Sequence, residues 1–446
     1  MSPTELRLAE LVAALSLGVD LGFGQPMEHV LRQCLIALRL AERVGLDEEA
    51  RAVVYYTALL INVGCHADAH EQARWMGDDI AMKSAKYDYE FRSVRGALAA
   101  LRLIGAGNPP LHRFRVGLEF ALSGHRDMEG MIETHAALAR GLGEELGLPP
   151  QVLASLAAAY EQWDGRGWPG KLRGAEVPVA ARLAQLAEFV EVAHRVGGLD
   201  SARALARARA GKQFDPEQAA LVAGDTGLLF SGLDEVATWD AVIEAEPALG
   251  VVLAGDEIDD ALAAVANFVD LKSPYTLGHA RAVSELAASA AAQLGAGESE
   301  QQTLRRAGLV HDLGRLGVSN AIWDKPGPLG AGEWERVRLH PYLTERMLHQ
   351  SAARSPFSTA SGSTAPATRA DCPGRRSRAR RVWWVPRTPT RRCGSRVPTG
   401  RRVRPTTRRS SCARMCGPGA STPRRSRPSS SQRVTACRGG ARARPG

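Results

Sequence analysis

Two stretches of this chain match one another at a constant distance of 250 residues, and that internal repeat restricts the possible folds more than any other feature. His29, in EHVLRQCLIALRLAERVGL, stands 32 residues before Ile61, and His279, in GHARAVSELAASAAAQLG, stands 32 residues before His311. The offset pairs Leu60-Ile61-Asn62-Val63-Gly64-Cys65 with Val310-His311-Asp312-Leu313-Gly314-Arg315. Each copy reads as a helical module enclosing a buried polar slot. The slot holds Ile-Asn in the first copy and His-Asp in the second.

The remaining pattern agrees with an all-α fold. LRLAELVAALSLGVDLGF, HAALARGLGEELGLPPQVLASLAAAYEQW and ALAAVANFVDL place apolar residues three to four apart, with Gly or Pro closing several segments. No alternating β-branched run predicts a sheet. Residues 201–258 read as a helical connector between two helical lobes, spanning 1–200 and 259–350. No apolar run reaches the length of a membrane span, and no basic start with an apolar core marks a secretory signal. Cys34 and Cys65 lie in apolar helical context and suit a reducing compartment rather than a disulfide framework. The expected location is cytoplasmic.

Charge divides the chain sharply. From Ser351 to Gly446 there are 24 Arg, no Lys and no His against one acid, Asp371, so this tail carries +23 of a formal net charge of +9 and leaves −14 to residues 1–350. The acidic body therefore offers no broad attraction to nucleic acid, and only the basic tail has that capacity. Periodicity ends where the tail begins, and its few bulky aliphatics predict disorder.

The second copy contains His279, His311 and Asp312, followed by His340 in RLHPYLTERML. Imidazole nitrogen and carboxylate oxygen suit borderline divalent metals, and separate helices of one bundle can direct them at a common centre. A lone histidine on a helix is more often a hydrogen-bonded core residue. Four such residues in order, with Lys325-Pro326-Gly327 between Asp312 and His340, argue for a metal site.

VHDLGRLGVSNAIWDKPGPLGAGEWERVRLHPYLTERML, preceded by DLKSPYTLGHARAV, resembles the first two thirds of an HD-GYP domain, a branch of the HD phosphohydrolase superfamily that includes cyclic di-GMP phosphodiesterases. The first copy is similar to a degenerate member of the same family. It retains YEQWDGRGWPGKL at 160–172 and VPVAARLAQLAEFVEVA at 177–193. However, it has Ala159-Tyr160 where the pattern has two histidines, and Glu188 where the family has an aspartate ligand. With Ile61-Asn62 in the slot it is expected to hold no catalytic metal. His66, Asp68 and His70, in CHADAH, are expected to be a solvated loop.

The resemblance implies metal-assisted phosphodiester hydrolysis. Divalent ions, iron or manganese, are shared by His279, His311, Asp312 and His340. The implied catalytic residues are Asp312, Arg315 and Lys325; the last two would hold phosphate oxygens, with Arg315 standing where the family has lysine. The implied partner is a small phosphodiester or cyclic dinucleotide, with no membrane; homodimerisation stays open. The alternative is a non-catalytic nucleotide-signalling or transcription-regulatory module.

The second half of the second copy is absent from the translated sequence, which has no histidine after His349. Reading the third base of each codon with the first two of the next recovers it. The codons of Phe357 to Cys372 then permit Q and H, followed by E-R-L-D-G-(A/S)-G-(Y/H)-P-(R/G)-G-L. Those of Val382 to Thr390 permit V-V-G-A-A-D-A-Y. The Glu-to-Tyr and Tyr-to-Asp intervals, 7 and 20, equal those from Glu161 to Trp168 and from Trp168 to Glu188. An apparent frame shift near residue 357 accounts for both the missing signature and the tail's composition. Limited trypsin digestion is accordingly expected to remove 351–446 before it cuts the body; early cleavage inside 1–350 with the tail intact would contradict this.

Overall fold

The computed structural model describes residues 5–88, 102–106, 109–120, 122 and 125–351, with backbone alone at 125–129, 132 and 133. The basic tail and the frame-shift junction lie outside the described residues, except for Ser351. The fold is all-α. Its helices are α1 (Leu8–Gly22), α2 (His29–Arg43), α3 (Glu48–Leu60), α4 (Ala69–Met76), α5 (Asp79–Ser84), α6 (Pro110–Glu119), α7 (His125–Glu145), α8 (Pro150–Ala157), α9 (Val179–Arg209), α10 (Pro216–Phe230), α11 (Thr238–Glu244), α12 (Asp256–Asp270), α13 (His279–Gln293), α14 (Glu298–Val310), α15 (Asn320–Trp323), α16 (Ala331–Arg338) and α17 (His340–Leu348). A short antiparallel pair joins β1 (Glu5–Arg7) to β2 (Val252–Ala254), with Leu6 opposite Leu253. Periodicity did not foresee it, because three residues per strand are too few to alternate visibly.

The repeat is structural. At an offset of 250, α2 and α3 have the same bounds as α13 and α14, and a 3-10 turn follows each pair, Val63–His66 and Leu313–Gly317. The entry into the first helix is also conserved between copies. Asp20 accepts a hydrogen bond from Val30 N at 3.0 Å, and Asp270 accepts one from Ala280 N at 2.9 Å. The residue preceding each helix is left-handed. Gly278 adopts this without a Cβ penalty, while Glu28, at φ 79°, bears a cost of about 1 kcal/mol.

Both copies share one core. Leu316 and Met347 of the second copy are fully buried with Leu11, Leu15 and Leu31 of the first. At Gly18 of α1 a Cβ would meet Met347 Cε at 2.4 Å and Leu316 Cδ1 at 2.7 Å, so a side chain there would have to displace the ends of both second-copy side chains. α9 runs along α2 and α3 and bends at Gly197 and Gly198, where the first copy gives way to the connector.

Among the described residues α13 and α14 have no counterpart of α9. The consequence is visible at matched positions: Ile36 is 0% exposed but Leu286 is 70% exposed, and Val54 is 0% exposed but Leu304 is 38% exposed.

Candidate metal centre

The second copy brings the predicted ligands together. Helix α13 begins at His279, α14 ends just before His311 and Asp312, and α17 begins at His340. Single donor atoms of His279, His311 and Asp312 all lie within 4.8 Å of one another. The Nε2 atoms of His279 and His311 are each 3.3 Å from Asp312 Oδ2, and His340 Nε2 is 3.5 Å from Oδ1. Backbone carbonyls orient two of the rings: His311 Nδ1 bonds Gly308 O at 2.7 Å, and His340 Nδ1 bonds Val337 O at 2.6 Å. That arrangement leaves Nε2 facing the centre, as in most histidine ligands.

Arg315 donates to Asp312 Oδ2 at 3.1 Å, and its guanidinium lies 4.4 Å over the Trp323 ring. Trp323 in turn meets His340 edge-on, 5.5 Å between centroids. Burial opposes the Asp312 charge, but the bonds from His279 and His311 outweigh it and hold the carboxyl far below the usual carboxylate range. Burial likewise opposes a charge on His311, and its bond to Asp312 nonetheless raises it.

Lys325 is engaged elsewhere. Its Nζ lies 2.8 Å from both carboxylate oxygens of Glu333, and the pair is largely exposed. The expected phosphate contact is therefore not preformed, because Glu333, the third residue of α16, competes for the ammonium.

His340 reaches the slot through a close backbone approach. At Gly314 a Cβ would lie 2.0 Å from His340 O, and at Gly64 a Cβ would lie 2.0 Å from His135 O. This contact identifies His135 as the first-copy equivalent of His340, a correspondence hidden in sequence because 70 residues separate Cys65 from His135 while 25 separate Arg315 from His340.

The first-copy slot is organised differently. Asn62 Nδ2 donates to Glu188 Oε1 at 2.7 Å, and Tyr87 OH donates to the same oxygen at 2.8 Å. Lys86 Nζ reaches Asn62 Oδ1 at 3.0 Å and Glu188 Oε1 at 2.5 Å, and stands 4.3 Å over the Phe23 ring. His29 pairs with the buried Glu191. A tethered ammonium thus neutralises the carboxylate at this centre. Sequence reasoning missed Lys86, whose counterpart at the repeat offset, Arg336, belongs to an unrelated helix.

CHADAH is not a solvated loop. His66 is fully buried against Phe23, Asp68 pairs with His135 at 2.7 Å, and His70 pairs with Asp324 at 2.8 Å. The 3-10 turn points inward, because the α4–α5 segment continues beneath the second copy. Burial opposes the His135 charge, but Cys65 and Asp68 push it up to about 9. The retained YEQWDGRGWPGKL loop is held by Glu161, which accepts from the amides of Gly170, Lys171 and Leu172 at 3.1, 2.8 and 3.2 Å. Only glycine fits at Gly167, where a Cβ would lie 2.4 Å from Glu161 Cα.

A predominantly helical body with a His-Asp cluster at the ends of three helices has the form of a metal-dependent phosphohydrolase, and residues 263–357 match the family model described as HD domain. Its relatives have the same character. Over 361 residues it is 29% identical to the 3'3'-cGAMP-specific phosphodiesterase 3 of Vibrio cholerae, covering 79% of this chain and 77% of the relative. Over 95 residues it is 38% identical to 3'3'-cGAMP-specific phosphodiesterase 1 of that organism, 21% of each chain. The crystal structure of a Vibrio cholerae cyclic GMP-AMP-specific phosphodiesterase (V-cGAP3) superimposes with a TM-score of 0.58 at 27% identity, covering 77% of this chain and 80% of that one.

Two substitutions test the local design. Lys86→Ala leaves Glu188 buried without its cation and is expected to cost about 3 kcal/mol in chemical denaturation; an unchanged midpoint would show that Lys86 does not balance the slot. Gly314→Ala forces a methyl onto the His340 carbonyl and is expected to cost about 2 kcal/mol, read in the same measurement, whereas a neutral effect would contradict the close approach.

Proposed function

We propose that this chain is a metal-dependent phosphodiesterase of the HD-GYP type whose substrate is a cyclic dinucleotide, and that its own activity is impaired. The convergence of His279, His311, Asp312 and His340 on one centre, with Arg315 beside it, carries the reading. The names of the relatives favour 3'3'-cGAMP over cyclic di-GMP as the first substrate to assay. The proposed organisation is a degenerate first copy at 1–200, a connector at 201–258, a second copy cut short at 350, and an out-of-frame tail. A cytoplasmic location suits a cyclic-dinucleotide substrate; among the described residues no helix is long and apolar enough to cross a membrane.

Three imidazoles and one carboxylate, with the Nε2 atoms of His311 and His340 turned inward by backbone acceptors, fit iron or manganese. Bound divalent ions supply Lewis-acid polarisation of a phosphoryl oxygen and activation of the attacking water. Arg315 presents a guanidinium suited to a phosphate oxygen once Asp312 is engaged elsewhere. The first copy, whose slot is filled by Lys86, has a non-catalytic role.

The test compares hydrolysis of 3'3'-cGAMP, cyclic di-GMP and bis(p-nitrophenyl) phosphate with added manganese. The proteins are this chain, a frame-corrected chain, and the corrected chain carrying His311→Ala and Asp312→Ala. Losing part of a preorganised charge cluster is expected to place this chain on the order of a hundredfold below the corrected one. Equal activity would refute impairment. Equal inertness of the corrected chain and its double variant would refute the enzyme and leave the signalling-module reading.

A further inference from the structure

The segment that lengthens the first copy crosses onto the second. Asp79, at the start of α5, is fully buried and meets four groups. Its Oδ1 accepts from Ser319 Oγ at 2.7 Å and from Asn320 N at 2.9 Å. Its Oδ2 lies 3.1 Å from Lys83 Nζ and 3.4 Å from Lys272 Nζ. Ser319 and Asn320 follow the turn Leu313–Gly317 after Val318 and open α15, which ends at Trp323.

Two arms leave this carboxylate for the metal centre. One runs through α15 to Trp323, whose ring supports the Arg315 guanidinium and touches the His340 edge. The other runs through Lys272, which donates to Asn320 Oδ1 at 2.6 Å while Asn320 Nδ2 returns a bond to Lys272 O at 2.6 Å. Lys272 lies between Asp270, which holds the start of α13, and His279 itself. His70, from the same segment, adds the bond to Asp324, which also accepts from Ser273 Oγ at 2.7 Å.

We propose that Asp79 of the degenerate copy is a positioning residue for the second copy's metal centre, holding the Ser319-Asn320 corner so that Trp323, Arg315 and His340 keep their places around Asp312. This rests on the metal-centre reading above. It gives the first copy a task that needs no metal of its own: its 70-residue interval from Cys65 to His135 supplies a clamp that the shorter second-copy interval lacks.

The experiment measures Mn2+ uptake by the full chain, following the free-ion signal by electron paramagnetic resonance, beside thermal unfolding. Asp79→Asn keeps an Oδ1 acceptor for Ser319 and Asn320 but removes the charge, and Asp79→Ala removes both. His311→Ala serves as the centre's control. A positioning role is expected to raise the Mn2+ dissociation constant about tenfold or more in Asp79→Ala and less than about threefold in Asp79→Asn. Both variants lose thermal stability, so a purely structural role would lower both midpoints without separating their affinities. Should Asp79→Ala fail to fold, Ser319→Ala, which deletes one of the two corner bonds, carries the same comparison. Saturable uptake with equal affinities in all Asp79 variants, or an equal loss in both, overturns the positioning role alone. Absence of saturable uptake by the unmodified chain, or uptake unchanged by His311→Ala, overturns the metal-centre reading and the positioning role with it.

Discussion

A carboxylate withdrawn from water has to be met by positive charge, and both copies of this fold are arranged around that requirement. In the second copy Asp312 is met by Arg315 and by imidazoles on three separate helices. In the first, Glu188 is met by Lys86, Tyr87 and Asn62. The helix pairs α2–α3 and α13–α14, the left-handed entry before each pair, and the close approach at Gly64 and Gly314 are common to both. What differs is what fills the slot: Glu188 comes from α9 and Lys86 from the segment after α5, and neither has a counterpart among the described residues of the second copy.

The repeat and the helical periodicity were legible in sequence because they depend on local spacing, which a linear reading captures. The four candidate ligands, which the structure brings near one another, were legible for the same reason, in order along the second copy. Lys86 and Asp79 were not, because each acts through contacts 100 or more residues distant, on Glu188 and on Ser319 respectively. The equivalence of His135 to His340 emerged only from the shared backbone contact with a glycine. Lys325 illustrates the opposite failure. A motif placed it near the chemistry, and a local acid, Glu333, claimed it.

The inter-copy contact alters the meaning of degeneracy. Loss of His-Asp from the first slot removes ligands, yet α1 still packs on Leu316 and Met347, and Asp79 still caps Ser319 and Asn320. Substitutions that erase chemistry from one repeat therefore leave intact the surfaces through which it supports the other. The two roles reside on different residues.

A tethered ammonium differs from a bound ion in one further respect. Lys86 is delivered to its slot by the chain itself, at an effective concentration fixed by covalent connection, so no chelator can extract it and no competing ion can displace it. A histidine–aspartate cluster, in contrast, responds to the supply of free metal and to whatever else in the cell binds that metal. On the proposed reading the two halves of the molecule stand on different footings toward scarcity: one carries its counter-charge in its own chain, and the other would depend on the metal around it.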